Sequence, residues 1–364
     1  MGDATSVDAG GPDAGPPPPR PQDLDLLLAI DGSNSVLEWQ VRFVDALPAL
    51  LDALSTGDVD GDGTAEGAPF ASIQLAVVTS DMGTGGHPVP TCVDPDFGED
   101  GILRTTGRSD IEGCMATYPP FLSWSVGEDL EAVSLEERCV AFVGTSGCGF
   151  EQPLEGMLKA LSPAAPTSWT AAGYHAPAFF RDTRGHGDGV NAGFSREGAF
   201  LAVLMMTDED DCSAADPDIY DVSGGPFGSV DLGRRCDLDD QLHPVARYVD
   251  GLLQLRPHPS QVGFFLVSGI PQDLEWPPGE RYPWDRYDGD ARDPRLVSTR
   301  DPDQPTRDLP SCAADVGGLA FAPNRLLEVA HGLDRAGGRV GLGSVCNDDY
   351  QRSFEAFART LLAE

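Results

Sequence analysis

Apolar residues run along this chain in short, nearly unbroken blocks, separated by stretches in which they return every three or four positions. Leu24 to Ile30 (LDLLLAI) is the first block, and such a run marks a strand buried on both faces of a sheet. It stops at the polar turn Asp31-Gly32-Ser33-Asn34-Ser35. From Val36 to Leu54 the apolar positions Val36, Trp39, Val41, Phe43, Val44, Leu47, Leu50, Leu51 and Leu54 then take helical spacing. Strand, polar turn and amphipathic helix open a βαβ unit.

The same grammar predicts strands at 73–78, 199–206, 262–267 and 340–345, and helices at 151–161, 239–255, 324–333 and 350–362. Strands and helices alternate from residue 24 onward, which predicts an α/β fold with a doubly wound, mostly parallel, Rossmann-like sheet. Four stretches, at about 82–127, 162–195, 213–238 and 268–320, break the alternation and read as loop insertions. Most of them contain a cysteine, so disulfides are expected to pin loops too long to order themselves. Residues 1–22 are rich in Gly, Pro, Ala and Asp and read as a flexible tether ahead of a domain spanning 23–364.

Composition narrows the partners. The 364 residues carry 59 acidic and 24 basic side chains, a formal net charge of -35, and Lys159 is the sole lysine. Such a field repels nucleic-acid phosphates and anionic lipid and favours hard cations. No stretch approaches the roughly 20 apolar residues of a membrane span. The eight cysteines, Cys92, Cys114, Cys139, Cys148, Cys212, Cys236, Cys312 and Cys346, include no CxxC pair and have few histidines nearby, which excludes zinc and iron–sulfur spacings. They are expected to form disulfides in an extracytoplasmic compartment, the protein being secreted or anchored to the envelope. Paired in sequence order they would close loops of roughly 10 to 35 residues. The tether is expected to follow a removed export signal, with a lipid-anchored cysteine upstream of residue 1 as one form of attachment.

The candidate chemistry lies at the strand ends. A D-x-S-x-S turn offers one carboxylate and two hydroxyls within five residues, with alternate side chains on one side. These are hard oxygen ligands of the kind magnesium takes at about 2.1 Å while keeping some of its water. Asp31, Ser33 and Ser35 supply them, Asp208 follows the strand at 199–206, and Thr145 sits in the Gly-rich loop GTSGCG. Open α/β sheets bind ligands at the carboxyl ends of their strands, where Asp31 and Asp208 both fall.

A second candidate is Asp58-Val59-Asp60-Gly61-Asp62-Gly63-Thr64, a calcium-type loop with Gly63 at its sharp turn. Pro69 stands where a bidentate glutamate belongs, with Glu66 nearby, so the ligands are Asp58, Asp60, Asp62, Thr64 and Glu66. The competing reading is a solvated acidic turn.

LLLAIDGSNSV resembles the first strand and metal-ion-dependent adhesion site of von Willebrand factor type A (vWA) domains. VLMMTDED resembles that fold's fourth-strand TDG segment, and VGTSGCGFEQPLEGMLKAL the loop and helix that supply the site's threonine. Through VVTSDMGTGG, GCGFEQPLEGM, TDEDDCS and SVCNDDY the span 24–364 is similar to bacterial secreted or lipoprotein vWA proteins. The resemblance implies Ser33 and Ser35 as direct ligands, Thr145 as the third hydroxyl, and Asp31 and Asp208 as direct or water-mediated ligands. It also implies an open position for a carboxylate from a protein partner. Two departures stand out: TDG is here Thr207-Asp208-Glu209, and the threonine loop has unusual spacing, leaving Ser146 as the alternative to Thr145.

The six histidines (His87, His175, His186, His243, His258 and His331) are scattered, and no G-x-S-x-G elbow, H-E-x-x-H helix or P-loop occurs. No enzyme is therefore expected. The expected function is an extracytoplasmic, cation-dependent protein-binding or adhesion module using Mg²⁺, or Ca²⁺ or Mn²⁺ in its place, with Ca²⁺ at 58–66. The alternative is a calcium-stabilised structural envelope protein. The aromatic run Trp276 to Tyr287 is either a recognition loop or a loop packing its own rings onto the domain.

Overall fold

A computed structural model describes residues 18–164, 184–275, 281–314 and 318–363. Most of the tether, His175 and Trp276 lie outside the described residues.

The first strand, β1 (Asp23–Ile30), forms where the LDLLLAI run predicts it. It pairs in parallel with β2 (Ser72–Thr79) on one side and β4 (Phe200–Met206) on the other. Outside β4 lie β5 (Val262–Ser268) and then β8 (Arg339–Ser344), also parallel. The short strand β3 (Leu122–Ser125) runs antiparallel on the outer edge of β2. The six-stranded sheet has the order β3-β2-β1-β4-β5-β8, and β6 (Cys312–Ala313) and β7 (Leu319–Ala320) form a separate two-stranded ribbon.

Helices cover both faces, which explains the unbroken apolar runs. Leu24, Leu26, Leu28 and Ile30 face a core shared with α1 (Leu37–Thr56), α2 (Leu130–Ala141) and α6 (Gln351–Leu362). Leu27 and Ala29 face the opposite core, with α3 (Pro153–Leu161), α4 (Ala246–Leu253) and α5 (Asn324–Ala336). Successive strand residues point to opposite faces, so a strand covered on both sides has no polar face left to alternate. Asp25, fully buried in β1, is the exception. It is held by Arg196 Nε at 2.7 Å and Arg256 Nη2 at 2.9 Å.

Two expectations are corrected and one open point is decided. The helix read at 239–255 is confined to Ala246–Leu253, with a short 3-10 turn at Asp239–Gln241 ahead of it. Pro244 lacks an N–H and disfavours helical geometry at the residue before it, and here the helix begins only after it, whereas α1 accommodates Pro48 in its interior. Second, β3 and α2 fall where no element was expected; β3 is only four residues long and exposes alternate positions. Third, the cysteine connectivity, which the sequence leaves open, departs from sequence order in the first four cysteines. The bonds are Cys92–Cys148 and Cys114–Cys139, one loop nested within the other, with Cys212–Cys236 and Cys312–Cys346 as sequence order has them. The chain passing through β3 and α2 returns Cys148 to the loop of Cys92, where Gly149 packs on Thr91. Four disulfides and the absence of any helix, among the described residues, long and apolar enough to cross a membrane fit an extracytoplasmic protein.

The described part of the aromatic run folds back on the protein. Tyr282, Trp284 and Tyr287 pack together, and Trp284 stacks on His331 with ring centroids 4.6 Å apart.

Candidate metal centre

Sheet register brings the candidate ligands together. Ile30 is paired with Met206, and the next residue, Asp31, donates its N–H to the Met206 carbonyl at 2.9 Å. The chain therefore leaves β1 at Asp31 and β4 at Thr207-Asp208 side by side at the carboxyl edge. No local sequence rule carries this. It follows from parallel pairing that sets Ile30 against Met206, far apart along the chain.

The turn after β1 is organised by Asp31, which is fully buried. Its Oδ1 accepts the Ser33 N–H at 2.7 Å and the Ser80 hydroxyl at 3.2 Å, and its Oδ2 accepts the Thr207 hydroxyl at 2.8 Å. A chain of oxygens then leads outward. Ser33 Oγ lies 3.0 Å from Ser35 Oγ, and Ser35 Oγ donates to Asp208 Oδ1 at 3.1 Å. Trp39, the first buried position of α1, donates its indole N–H to Asp208 Oδ2 at 3.3 Å. Asp31, Ser33 and Asp208 are buried while Ser35 is exposed, so the oxygen chain reaches solvent at one end.

The loop that carries Thr145 is clamped to this turn. Gln40 donates to the carbonyls of Asp31 (2.7 Å) and Gly144 (2.8 Å) and accepts the Gly144 N–H at 3.0 Å. Gly147 donates to the Gly32 carbonyl at 2.8 Å, and a Cβ on Gly147 would itself stand 2.8 Å from that oxygen. Only glycine permits so close an approach. Thr145 sits between these anchors, half-buried, and Ser146 beside it is exposed.

Four carboxyl groups converge here. Burial pushes Asp31 up from the ordinary aspartate range. Asp208 lies well above that range, through burial and the charges of Asp31 and Glu209. Glu151 is likewise raised, by burial and then by Glu209, Asp31 and Asp208, and Glu209 is pushed up to about 7 by burial and Asp31. Like charges in a low-dielectric setting favour protons or a cation, and the donor set of carboxylates and hydroxyls is the hard-oxygen set that suits Mg²⁺, Mn²⁺ or Ca²⁺.

The rest of the acidic run has other work. Asp210 accepts the Arg325 N–H with both oxygens at 3.1 Å, at the start of α5. Asp211 accepts the Leu154 N–H, the Ser213 hydroxyl and Arg325 Nε. These two residues fasten the loop to α3 and α5, and Cys212–Cys236 secures the following segment. They are structural anchors.

The second candidate forms a compact turn after α1. One carboxylate oxygen from each of Asp58, Asp60, Asp62 and Glu66 lies within 4.8 Å of the others, a cluster that could hold a metal ion. Asp58 accepts the N–H groups of Gly61 and Gly63 at 2.8 Å, Glu66 accepts that of Val59 at 2.6 Å, and Asp62 accepts that of Thr64 at 2.8 Å. Gly61 and Gly63 have φ of 72° and 89°, which favour glycine. Asp60 also pairs with Arg359 of α6 at 3.0 Å.

Sequence reading missed Ser80, Gln40, Trp39, Glu151, Thr207 and Glu209 around the first centre. Ser80 and Thr207 each follow a buried strand closely, which is a usable signal. Glu151 is hidden before the proline that starts α3, and only the fold brings it to Glu209. His186 is buried beside Lys159 and Asp100. No protein-family model matches the chain, and no curated protein matches it.

Proposed function

We propose that this protein is an extracytoplasmic, non-enzymatic protein-binding module of vWA type, holding a divalent cation on Asp31, Ser33, Ser35, Thr145 and Asp208. The strand order β3-β2-β1-β4-β5-β8, with helices on both faces, supports a doubly wound sheet. The observation that carries the reading is the oxygen chain Ser33–Ser35–Asp208 beside Asp31 at the carboxyl edge. In this reading the cation relieves the crowding of carboxylates and keeps one position open for an acidic side chain of a partner. Mg²⁺ is the first candidate because the protein's ligand shell is incomplete and Mg²⁺ readily keeps water. The disulfides support secretion or attachment at the envelope, with residues 1–22 as a tether.

Titration of the purified protein with MgCl₂ by calorimetry is the test. Ser33→Ala combined with Ser35→Ala removes the binding isotherm while the circular dichroism spectrum is unchanged. An unaltered isotherm in that double variant overturns the site.

A second reading is favoured by the Asp58–Glu66 cluster: a calcium-stabilised structural protein in which the ion rigidifies the joint between α1 and β2. It predicts a large rise in Tm with CaCl₂ and no cation-dependent ligand.

A further inference from the structure

Beside Glu151 and Glu209 a cleft of about 1030 Å³ opens, with both carboxylates in its lining. Seven carboxylates line it against five arginines, and the arginines are already engaged. Arg300 pairs with Asp237 and Asp308, and Arg325 with Asp211 at 3.1 Å. Arg234 and Arg307 stand 3.7 Å and 3.5 Å from Asp237 and Asp301, and Arg292 donates to Asn324 Oδ1 at 2.6 Å. Glu151, Glu209, Asp239 and Glu328 are different: among the described residues none of them belongs to an ion pair. The charge left unmatched in this cleft is therefore negative.

Glu151 is the sharpest case. It is 4% exposed, yet it lines the cleft, and the hydrogen bonds to its carboxyl come from its own backbone N–H and the Glu209 carboxyl. Its backbone is fixed, because its carbonyl accepts the Cys212 N–H at 2.8 Å and Cys212 is bonded to Cys236. An enclosed carboxyl with so few donors is destabilising, and a donor arriving from outside offsets that. Phe150, its chain neighbour, and Phe321 add apolar surface to the same lining.

A metal ion would fill a small fraction of this volume, which is at the upper end for a small-molecule pocket. An extended polypeptide is large enough. Of the two basic side chains it could bring, arginine fits better: a planar guanidinium carries five donors, reaches two carboxylates at once and packs its face on aromatic rings. The chain's net charge of -35 also draws basic partners at long range. We propose that the cleft holds an extended segment of a partner protein, with one arginine of that segment donating to Glu151 and Glu209. The site goes beyond the cation reading and does not depend on it, since none of Asp31, Ser33, Ser35, Thr145 and Asp208 lines the cleft.

The probe is a random linear peptide library displayed on phage, selected on the intact protein in EDTA, with Glu151→Gln/Glu209→Gln protein as counter-selection. A selected peptide is then measured by fluorescence polarisation at about 0.15 M salt, where diffuse surface attraction is screened. The expected result is enrichment of arginine-bearing peptides and about a tenfold loss of affinity in the Glu151→Gln/Glu209→Gln protein. Changing the peptide's arginine to citrulline should cause a similar loss, an arm that holds whatever the fold of the protein variant; unchanged affinity overturns the proposal. Glu112→Gln/Glu131→Gln removes two exposed carboxylates outside the cleft and should leave affinity unaltered. An equal loss there means attraction by the overall charge and overturns the cleft. Enrichment of peptides without arginine, or none over the counter-selecting protein, overturns it as well. Free arginine amide binding as tightly as the peptide overturns the partner protein as its source. With EDTA present throughout, these outcomes leave the cation reading to the MgCl₂ calorimetry.

Discussion

The two acidic centres hold similar numbers of carboxylates and are built in opposite ways. The turn at 58–66 takes all its candidate ligands from nine consecutive residues, is largely exposed, and satisfies its carboxylates with its own backbone N–H groups. The centre at the strand ends gathers Asp31, Glu151, Asp208 and Glu209 from three distant segments and buries most of them. An exposed, self-contained turn relaxes when empty at little cost. Buried carboxylates fixed by a sheet cannot move apart, so the fold itself retains their repulsion. The first arrangement suits local stabilisation, whereas the second suits a cation presented to a partner.

The sharpest way to break this contrast is at the strand ends. Asp208→Asn is expected to weaken Mg²⁺ binding by more than about a hundredfold, beyond the range seen for supporting residues alone. In EDTA the same variant is expected to melt higher than the parent, because a buried like charge has been removed. Calorimetry and thermal melts read the two outcomes, and a lower Tm in EDTA contradicts the repulsion.

At the turn the opposite is expected. Asp58→Ala removes the stabilisation that CaCl₂ produces, about 2.7 kcal/mol at a hundredfold excess over Kd, and with it the rise in Tm. It leaves Mg²⁺ binding at the strand ends unchanged. If Asp58→Ala also abolished that binding, the two centres would not be independent.

Glu137 sharpens the comparison as a buried carboxylate with no cation to meet. It is almost fully buried in α2, neither carboxylate oxygen has a hydrogen-bond partner, and burial pushes its carboxyl up to about 8. The folded protein thus holds this proton over a range where the unfolded chain has released it. Its contribution to stability is intact below the unfolded value and is lost as pH rises towards 8. Glu137→Gln is expected to flatten that decline by at least about 1 kcal/mol between pH 5 and 8, with no change in cation binding. Urea melts across that range measure it, and parallel curves for parent and variant count against it.

The α/β class and five strands of the sheet are legible from sequence because buried parallel strands are long apolar runs. Edge strand β3 was not legible. It has four residues, alternates, and gains its place only by pairing with β2. Asp31, Ser33 and Ser35 are readable because they are close in sequence. Glu151 and Glu209 are not, since their proximity depends on how α3 meets the end of β4. The nested cysteine pairs were hidden for the same reason, as β3 and α2 decide which loop Cys148 returns to.

The smallest expected effect concerns the Thr145 loop, the part of the strand-end centre fastened least directly. Gln40 lies at the heart of the fastening, with its amide bonded to Asp31 and to both backbone groups of Gly144. Gln40→Ala leaves Asp31, Ser33, Ser35 and Asp208 untouched but frees the loop. If Thr145 completes the cation's shell, affinity for Mg²⁺ is expected to fall about tenfold, in the range found when residues supporting a metal ligand are removed. Thr145→Ala should match that loss, and the two changes combined should cost little more than either alone, because both act on one contact. Additive losses would mean that Gln40 supports the turn itself. An effect of Ser146→Ala instead of Thr145→Ala would transfer the ligand role to the exposed neighbour.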